Sequence, residues 1–143
     1  MSALYVLDTD HLSLLQRGHP RVLARLTTVP VDQRAVTIIS ADEQLQGRLA
    51  MIRRAKTQLD AAREYEWLRE TLQFFSSVRL LPYDAAAVAQ FEALRRQNLR
   101  IGTQDLRIAS ICLTQQAILA TRNLRDFGLV PGLMTEDWSL PTA

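Results

Sequence analysis

Four short apolar runs, partly β-branched, punctuate the chain at Leu4–Leu7, Ala35–Ile39, Val78–Leu81 and Ala117–Ala120, with a weaker fifth at Leu133–Thr135. None alternates cleanly between polar and apolar residues, as a strand with one solvated face would, so each reads as a strand covered on both faces. Helical patterns lie between them. Leu45, Leu49, Ile52 and Ala55 mark one helix face; Leu59, Ala62, Tyr65, Leu68, Leu72 and Phe75 mark a second; Val88, Phe91 and Leu94 mark a third. The stretch Leu106–Leu119 is apolar nearly all round and reads as a helix packed deep against the sheet. Strands alternating with helices predict an α/β fold, a central parallel sheet of four or five strands flanked by helices on right-handed crossovers. The two helices between Ser40 and Ser76 exceed what one crossover needs. A protruding helical hairpin over about 41–75, offering a protein-binding surface, and thicker crossover packing explain them equally.

The 143 residues fit one domain over 1–143, large enough to bury a core without disulfides. The single Cys112 has no intrachain partner and sits in the apolar run Ile108–Leu113, where a packed thiol is the expected role. Of 17 basic residues, Lys56 is the only lysine. The other basic groups are arginines, whose planar fork suits phosphate, although a GC-rich genome produces the same bias. A net charge of +2 is too small for strong non-specific nucleic-acid binding, so any basic patch has to be local. No leader is visible ahead of the first strand, and no apolar run approaches membrane-spanning length, which makes the cytoplasm the expected location.

Four acids fall where the strands of such a sheet end: Asp8, Glu43, Asp105 and Asp126. In an open α/β sheet these positions border the crevice at the carboxyl ends of the strands. Helix capping competes for several of them. Ser40-Ala41-Asp42-Glu43 matches a capping box, Asn123-Leu124-Arg125-Asp126 a weaker version of it, and Asp84 an N-cap. Asp105 would be a first-turn acid favoured by the helix dipole. Asp8 is different: it ends a buried strand, and Asp10 stands ready to cap the helix after it. A carboxylate there is costly unless charge or hydrogen bonds compensate it.

If the first strand is central, with the second and fourth beside it, all four acids line one crevice. Two unit charges about 4 Å apart repel by about 4 kcal/mol at an effective dielectric of about 20. A quartet of carboxylates therefore calls for a divalent cation, and Mg2+ or Mn2+ suits an all-oxygen donor set. Such a site can orient a water against a phosphoryl group for in-line hydrolysis. Asp8 and Asp105 are the expected direct ligands, with Glu43 and Asp126 acting through water or completing a second site. Arg96, Arg100 and Arg107 around the loop leading to Asp105, and Arg122 and Arg125 beside Asp126, are candidate contacts to an RNA phosphate backbone. Trp67 and Trp138 are isolated, so no aromatic stacking platform is evident. His11 and His19 fit no catalytic or zinc pattern.

The segments Leu7-Asp8-Thr9-Asp10, Ser40 to Gly47, Ile101 to Ala109 and Thr121 to Phe127 resemble, in order and context, those of PIN-domain proteins. The closing Val130-Pro131-Gly132-Leu133 with Glu136-Asp137-Trp138 is similar to the tail of VapC-type toxins. The resemblance covers nearly the whole chain. It implies a single PIN-like domain and a Mg2+-dependent endoribonuclease toxin of a type II toxin–antitoxin pair, homodimeric and held inactive by a VapB-like antitoxin. It also implies operator DNA as a partner only through the antitoxin complex. The family's acids carry over onto Asp8, Glu43, Asp105 and Asp126. Thr9 matches the position that supports the first of them, and Asn123 the polar residue ahead of the fourth. Asp10, where many relatives have Asn, adds charge to the rim and a further water-mediated metal contact.

Three rivals remain. A PIN domain working in RNA processing shares the site but not the partner. A non-enzymatic α/β interaction module would use its acids only as caps. A haloacid-dehalogenase-like phosphatase would use Asp8 as nucleophile, but it wants a phosphate-site lysine, and Lys56 falls amid the long helices.

Overall fold

The structure, a computed structural model, describes residues 2–141; positions 1, 142 and 143 of the expected domain lie outside it. The elements follow as β1 (Tyr5–Leu7), α1 (Thr9–Gln16), α2 (Pro20–Thr27), β2 (Arg34–Thr37), α3 (Ile38–Arg54), α4 (Gln58–Ser77), β3 (Leu80–Leu81), α5 (Ala85–Arg95), α6 (Thr103–Gln115), β4 (Ile118–Ala120), α7 (Leu124–Phe127) and β5 (Met134–Glu136). The five strands form one parallel sheet in the order β3-β2-β1-β4-β5. β1 is central, with Val6 opposite Ala35 on one side and Leu119 on the other. The expected α/β architecture is therefore present, with β5 as the fifth strand.

The sheet's period of two sends successive side chains to opposite faces. Val6, Ala35 and Leu119 enter a core with Phe91 and Leu94 of α5 and Leu106, Ile108, Ile111 and Cys112 of α6. Leu7, Val36 and Ala120 enter the other core with Leu12 and Leu14 of α1, Val22 of α2, Phe75 of α4 and Trp138. Both faces are covered, which is why the strands carry no polar alternation. Cys112 is fully buried, and burial pushes its thiol up to about 12, as befits a core residue. α3 and α4 pack against each other across the link at 55–57. Among the described residues no helix is long and apolar enough to cross a membrane.

Two helix starts differ from expectation. The capping box at Ser40–Glu43 is not used. α3 begins at Ile38, and the buried hydroxyl of Thr37 caps it by accepting from the Ser40 N–H at 3.2 Å. The run Ala35–Ile39 thus splits, its last two residues entering the helix. At α1 the cap is Asp8, not Asp10: Asp8 Oδ1 accepts the His11 N–H at 2.7 Å. One residue both ends the central strand and starts the next helix, since the Asp8 N–H still bonds Ala120 O at 3.0 Å. Asp84 and Asn123 cap α5 and α7 as the sequence indicated.

Candidate active site

Asp8 directly follows β1, Glu43 lies in the second turn of α3 after β2, Asp105 in the first turn of α6, and Asp126 in α7 after β4. Asp8 is 5% exposed, and burial raises its pKa to about 6, against hydrogen bonds from Thr121 and the His11 backbone; the Asp10 and Asp105 charges push it the same way as burial. Asp105 lies in the first turn of α6, where Gly102 supplies no side-chain cap. Its pKa is also raised, first by burial, then by the negative charges of Glu43 and Asp126. The repulsions link Asp8 to Asp105 and Asp105 to both Glu43 and Asp126. The fold brings all four carboxylates into one electrostatic neighbourhood.

Polar groups hold Asp8, Glu43 and Asp126 there. Thr9 Oγ1 donates to Glu43 Oε1 at 2.8 Å and lies 2.9 Å from Ser40 Oγ. Thr9 has a single hydroxyl proton, so Ser40 has to be the donor to Thr9, giving a directed chain from Ser40 through Thr9 to Glu43. Thr9 therefore orients Glu43 rather than Asp8. That is also the duty Ser40 performs in place of capping. Thr121, fully buried, takes the part expected of Thr9: its hydroxyl favours the ionised form of Asp8. The same oxygen accepts the Asn123 N–H at 2.9 Å. Asn123 grips Asp126 twice, Oδ1 accepting its N–H at 3.2 Å and Nδ2 donating to Oδ2 at 3.1 Å. Asp8 and Asp126 are thus joined through one short turn.

The arginines divide. Arg122 is committed to Asp10, with Nε and Nη2 each 2.7 Å from a carboxylate oxygen, and this bond lowers the Asp10 pKa. Asp10 is accordingly neutralised at the rim by Arg122. Arg107 lies 5.9 Å from the ring centroids of Tyr83 and Phe91 and donates to Gln104 Oε1, while Gln104 Nε2 donates to Asp42 across the mouth of the site. Arg96, Arg100 and Arg125 are exposed.

Sequence reasoning passed over Thr121 and His11. His11 is fully buried, with Nδ1 3.7 Å from Asp8 Oδ1. Its only signal was position, three residues after the strand-end acid on the inward side of a helix start. Among the described residues, the place where three potential ligand atoms come within 4.8 Å of one another is Asp8, Asp10 and His11. That trio is a poor cation site, because Arg122 occupies both Asp10 oxygens and His11 Nε2 accepts the Trp138 N–H, which leaves the neutral ring's proton on Nδ1, the nitrogen facing Asp8. Asp8 and Asp105 fit better: both are raised in pKa by burial and by neighbouring carboxylates, and a hard divalent cation would relieve both effects.

No family model matches the chain. It is similar over its whole length to a Haemophilus influenzae protein named Ribonuclease VapC1, 26% identical over 140 residues, which is 95% of this chain and 98% of that one. It is 40% identical over 70 residues to the tRNA(fMet)-specific endonuclease VapC of Shigella flexneri, covering 46% of this chain and 53% of that one. The DNA-bound VapBC structure from Salmonella typhimurium contains the same fold, with a TM-score of 0.75 at 23% identity, covering 95% of this chain and 98% of its counterpart. The chain resembles VapC ribonucleases in sequence and shares the fold of the VapBC structures. That shared fold matches the five-stranded parallel sheet β3-β2-β1-β4-β5.

Proposed function

We propose that the chain is an endoribonuclease toxin of a type II toxin–antitoxin pair, cleaving RNA phosphodiester bonds at a cation held by Asp8 and Asp105. The observation that carries this reading is that Asp8, Glu43 and Asp126, each held by a hydrogen bond, all stand close enough to Asp105 for like charges to repel. A bound Mg2+ or Mn2+ would supply Lewis acidity toward a phosphoryl oxygen and favour in-line attack by water. The chain's own residues do the positioning. Thr121 and the His11 N–H fix Asp8, Thr9 aims Glu43 inward, and Asn123 keeps Asp126 facing the same mouth. Arg96, Arg100 and Arg125 would take RNA phosphates. Arg107 would do so from its aromatic shelf, and Arg122 only by releasing Asp10.

A VapB-like antitoxin is the proposed partner, with operator DNA contacted only through that complex, in a cytoplasmic homodimer. A groove of about 800 Å³ supports it, starting at Thr9 and Glu43 and running between α1, α3 and α4 past Trp67 and Phe74. A segment laid along it would end against the acids. The relatives' names support ribonuclease activity over the phosphatase and the capping module, and the unused Ser40–Glu43 box removes the capping module's best support.

The test is direct. Purified chain with Mg2+ should cut RNA to fragments bearing 5′-phosphate and 3′-hydroxyl ends, and chelation or Asp105→Asn should stop it. Fragments with cyclic phosphate ends, or cleavage unaffected by chelator, would exclude the cation mechanism. Glu43→Gln separates support from site. Because Thr37 caps α3, stability should change by no more than about 0.5 kcal/mol. Cleavage should fall by roughly tenfold to a hundredfold, the range for groups that act beside the metal ligands. A stability loss with normal turnover would return Glu43 to a structural role.

A further inference from the structure

His11 occupies an unusual place for a residue outside the acidic quartet. It is fully buried on α1, and its Nε2 accepts the backbone N–H of Trp138 at 3.0 Å, across 127 positions of sequence. A nitrogen that accepts carries no proton in the neutral ring, so the ring proton sits on Nδ1. Nδ1 faces Asp8 Oδ1 at 3.7 Å and has no hydrogen-bond partner, one of two such buried side-chain atoms among the described residues. Buried donors are rarely left unspent. Asp137 does not claim the ring: its Oδ1 lies 3.7 Å from Nε2 but accepts from the Ser139 N–H and hydroxyl. The Trp138 ring packs edge-on to the imidazole, with centroids 6.4 Å apart, and closes the far side.

We infer that His11 is a positioning residue for Asp8: the Trp138 backbone clamps the ring so that its Nδ1–H is aimed at that carboxylate, and cation affinity at Asp8 depends on the segment that follows β5. The inference rests on the cation-site reading above. In metal proteins, a donor behind a carboxylate ligand fixes which lone pair is presented forward. Here the donor is supplied from α1, but its direction is set by the end of the chain. Trp138 is thereby connected to a site formed by other strands.

Two substitutions divide the imidazole's functions. His11→Gln can reach Trp138 and keep an acceptor there, but leaves no donor at the Nδ1 position. His11→Asn places an amide N–H near the Nδ1 position and abandons Trp138. Mn2+ binding to the full-length chain, read by electron paramagnetic resonance or calorimetry, is measured beside thermal unfolding in chelator. The expected pattern is crossed. His11→Gln should keep its unfolding midpoint near wild type but bind Mn2+ about tenfold more weakly. His11→Asn should unfold earlier yet keep Mn2+ affinity within about threefold, on the same scale. Wild-type affinity in both variants, or affinity falling in step with stability in both, would overturn the inference. Should His11→Asn fail to fold, retained affinity in His11→Gln still overturns it. Absence of Mn2+ binding by wild type is a separate failure, that of the cation site itself.

Discussion

Asp8→Asn is expected to make the cation-free protein more stable and the nuclease inactive. The side chain is 5% exposed, and its pKa rises from 3.8 to about 6, which corresponds to about 3 kcal/mol of preference for the neutral form in the folded state. The sign follows from linkage. An acid whose pKa is higher folded than unfolded favours folding below the unfolded value, and this contribution is lost as pH rises through about 6. At neutral pH the native state therefore carries an ionised, partly desolvated group. Asparagine removes the charge but keeps an oxygen for the His11 N–H, and Asn caps a helix as well as Asp does. In chelator at pH 7.5 the unfolding midpoint should rise by roughly 5 °C. Near pH 4, where wild-type Asp8 holds its proton, the difference should nearly vanish. Cleavage should drop at least about a hundredfold, roughly 3 kcal/mol of transition-state stabilisation. Destabilisation of Asp8→Asn at pH 7.5 would mean that the carboxylate is satisfied by the protein alone and has no need of a cation.

The opposition between stability and activity at Asp8 also explains what could be read from the sequence. Apolar runs with no alternation were enough to indicate a parallel sheet buried on both faces, because that pattern is imposed by solvent exclusion along the strand itself. Asp8 stood out for the same reason: a carboxylate ending such a run conflicts with its surroundings. The side chains that orient the acids were not legible. Whether Ser40 caps α3 depends on where the β2 strand stops, and Thr37 decides that by capping first. Thr9 serves Glu43 because α1 and α3 meet beside it, 34 positions apart in sequence. Thr121 and His11 meet Asp8 from the residue after β4 and from the first turn of α1, and His11 in turn takes its orientation from Trp138. Local spacing cannot distinguish a cap from a ligand support when the deciding partner is brought in by tertiary packing. The arginines show the same limit. Arg122 looked like a phosphate contact by its place next to Asp126, yet the packing of α1 gives it Asp10 as a partner.

Adding a divalent cation should reverse the pH dependence of stability. In chelator, the raised pKa of Asp8, with that of Asp105 shifted in the same direction, makes the folded state bind protons more tightly than the unfolded chain. Stability attributable to these groups should then rise as pH falls from about 7 toward about 4, against the common trend for proteins whose carboxylates are paired. A cation takes the place of those protons. At a hundredfold excess over its dissociation constant it should add about 2.7 kcal/mol at neutral pH. Because Asp8 has to lose a proton first, affinity should weaken by about tenfold for each pH unit below about 6, and more steeply where Asp105 is protonated too. Thermal unfolding of wild type from pH 4.5 to 8, with Mn2+ or with chelator, measures both slopes. The two curves should diverge above about pH 6 and converge below it, and in Asp8→Asn they should nearly coincide throughout. Curves for wild type that stay superimposed at pH 8 would show that the four carboxylates tolerate one another without a cation, and the proposed hydrolytic site would fall with that result. Divergence that persists undiminished at pH 4.5 would place the cation elsewhere, on groups whose protons are already gone at that pH.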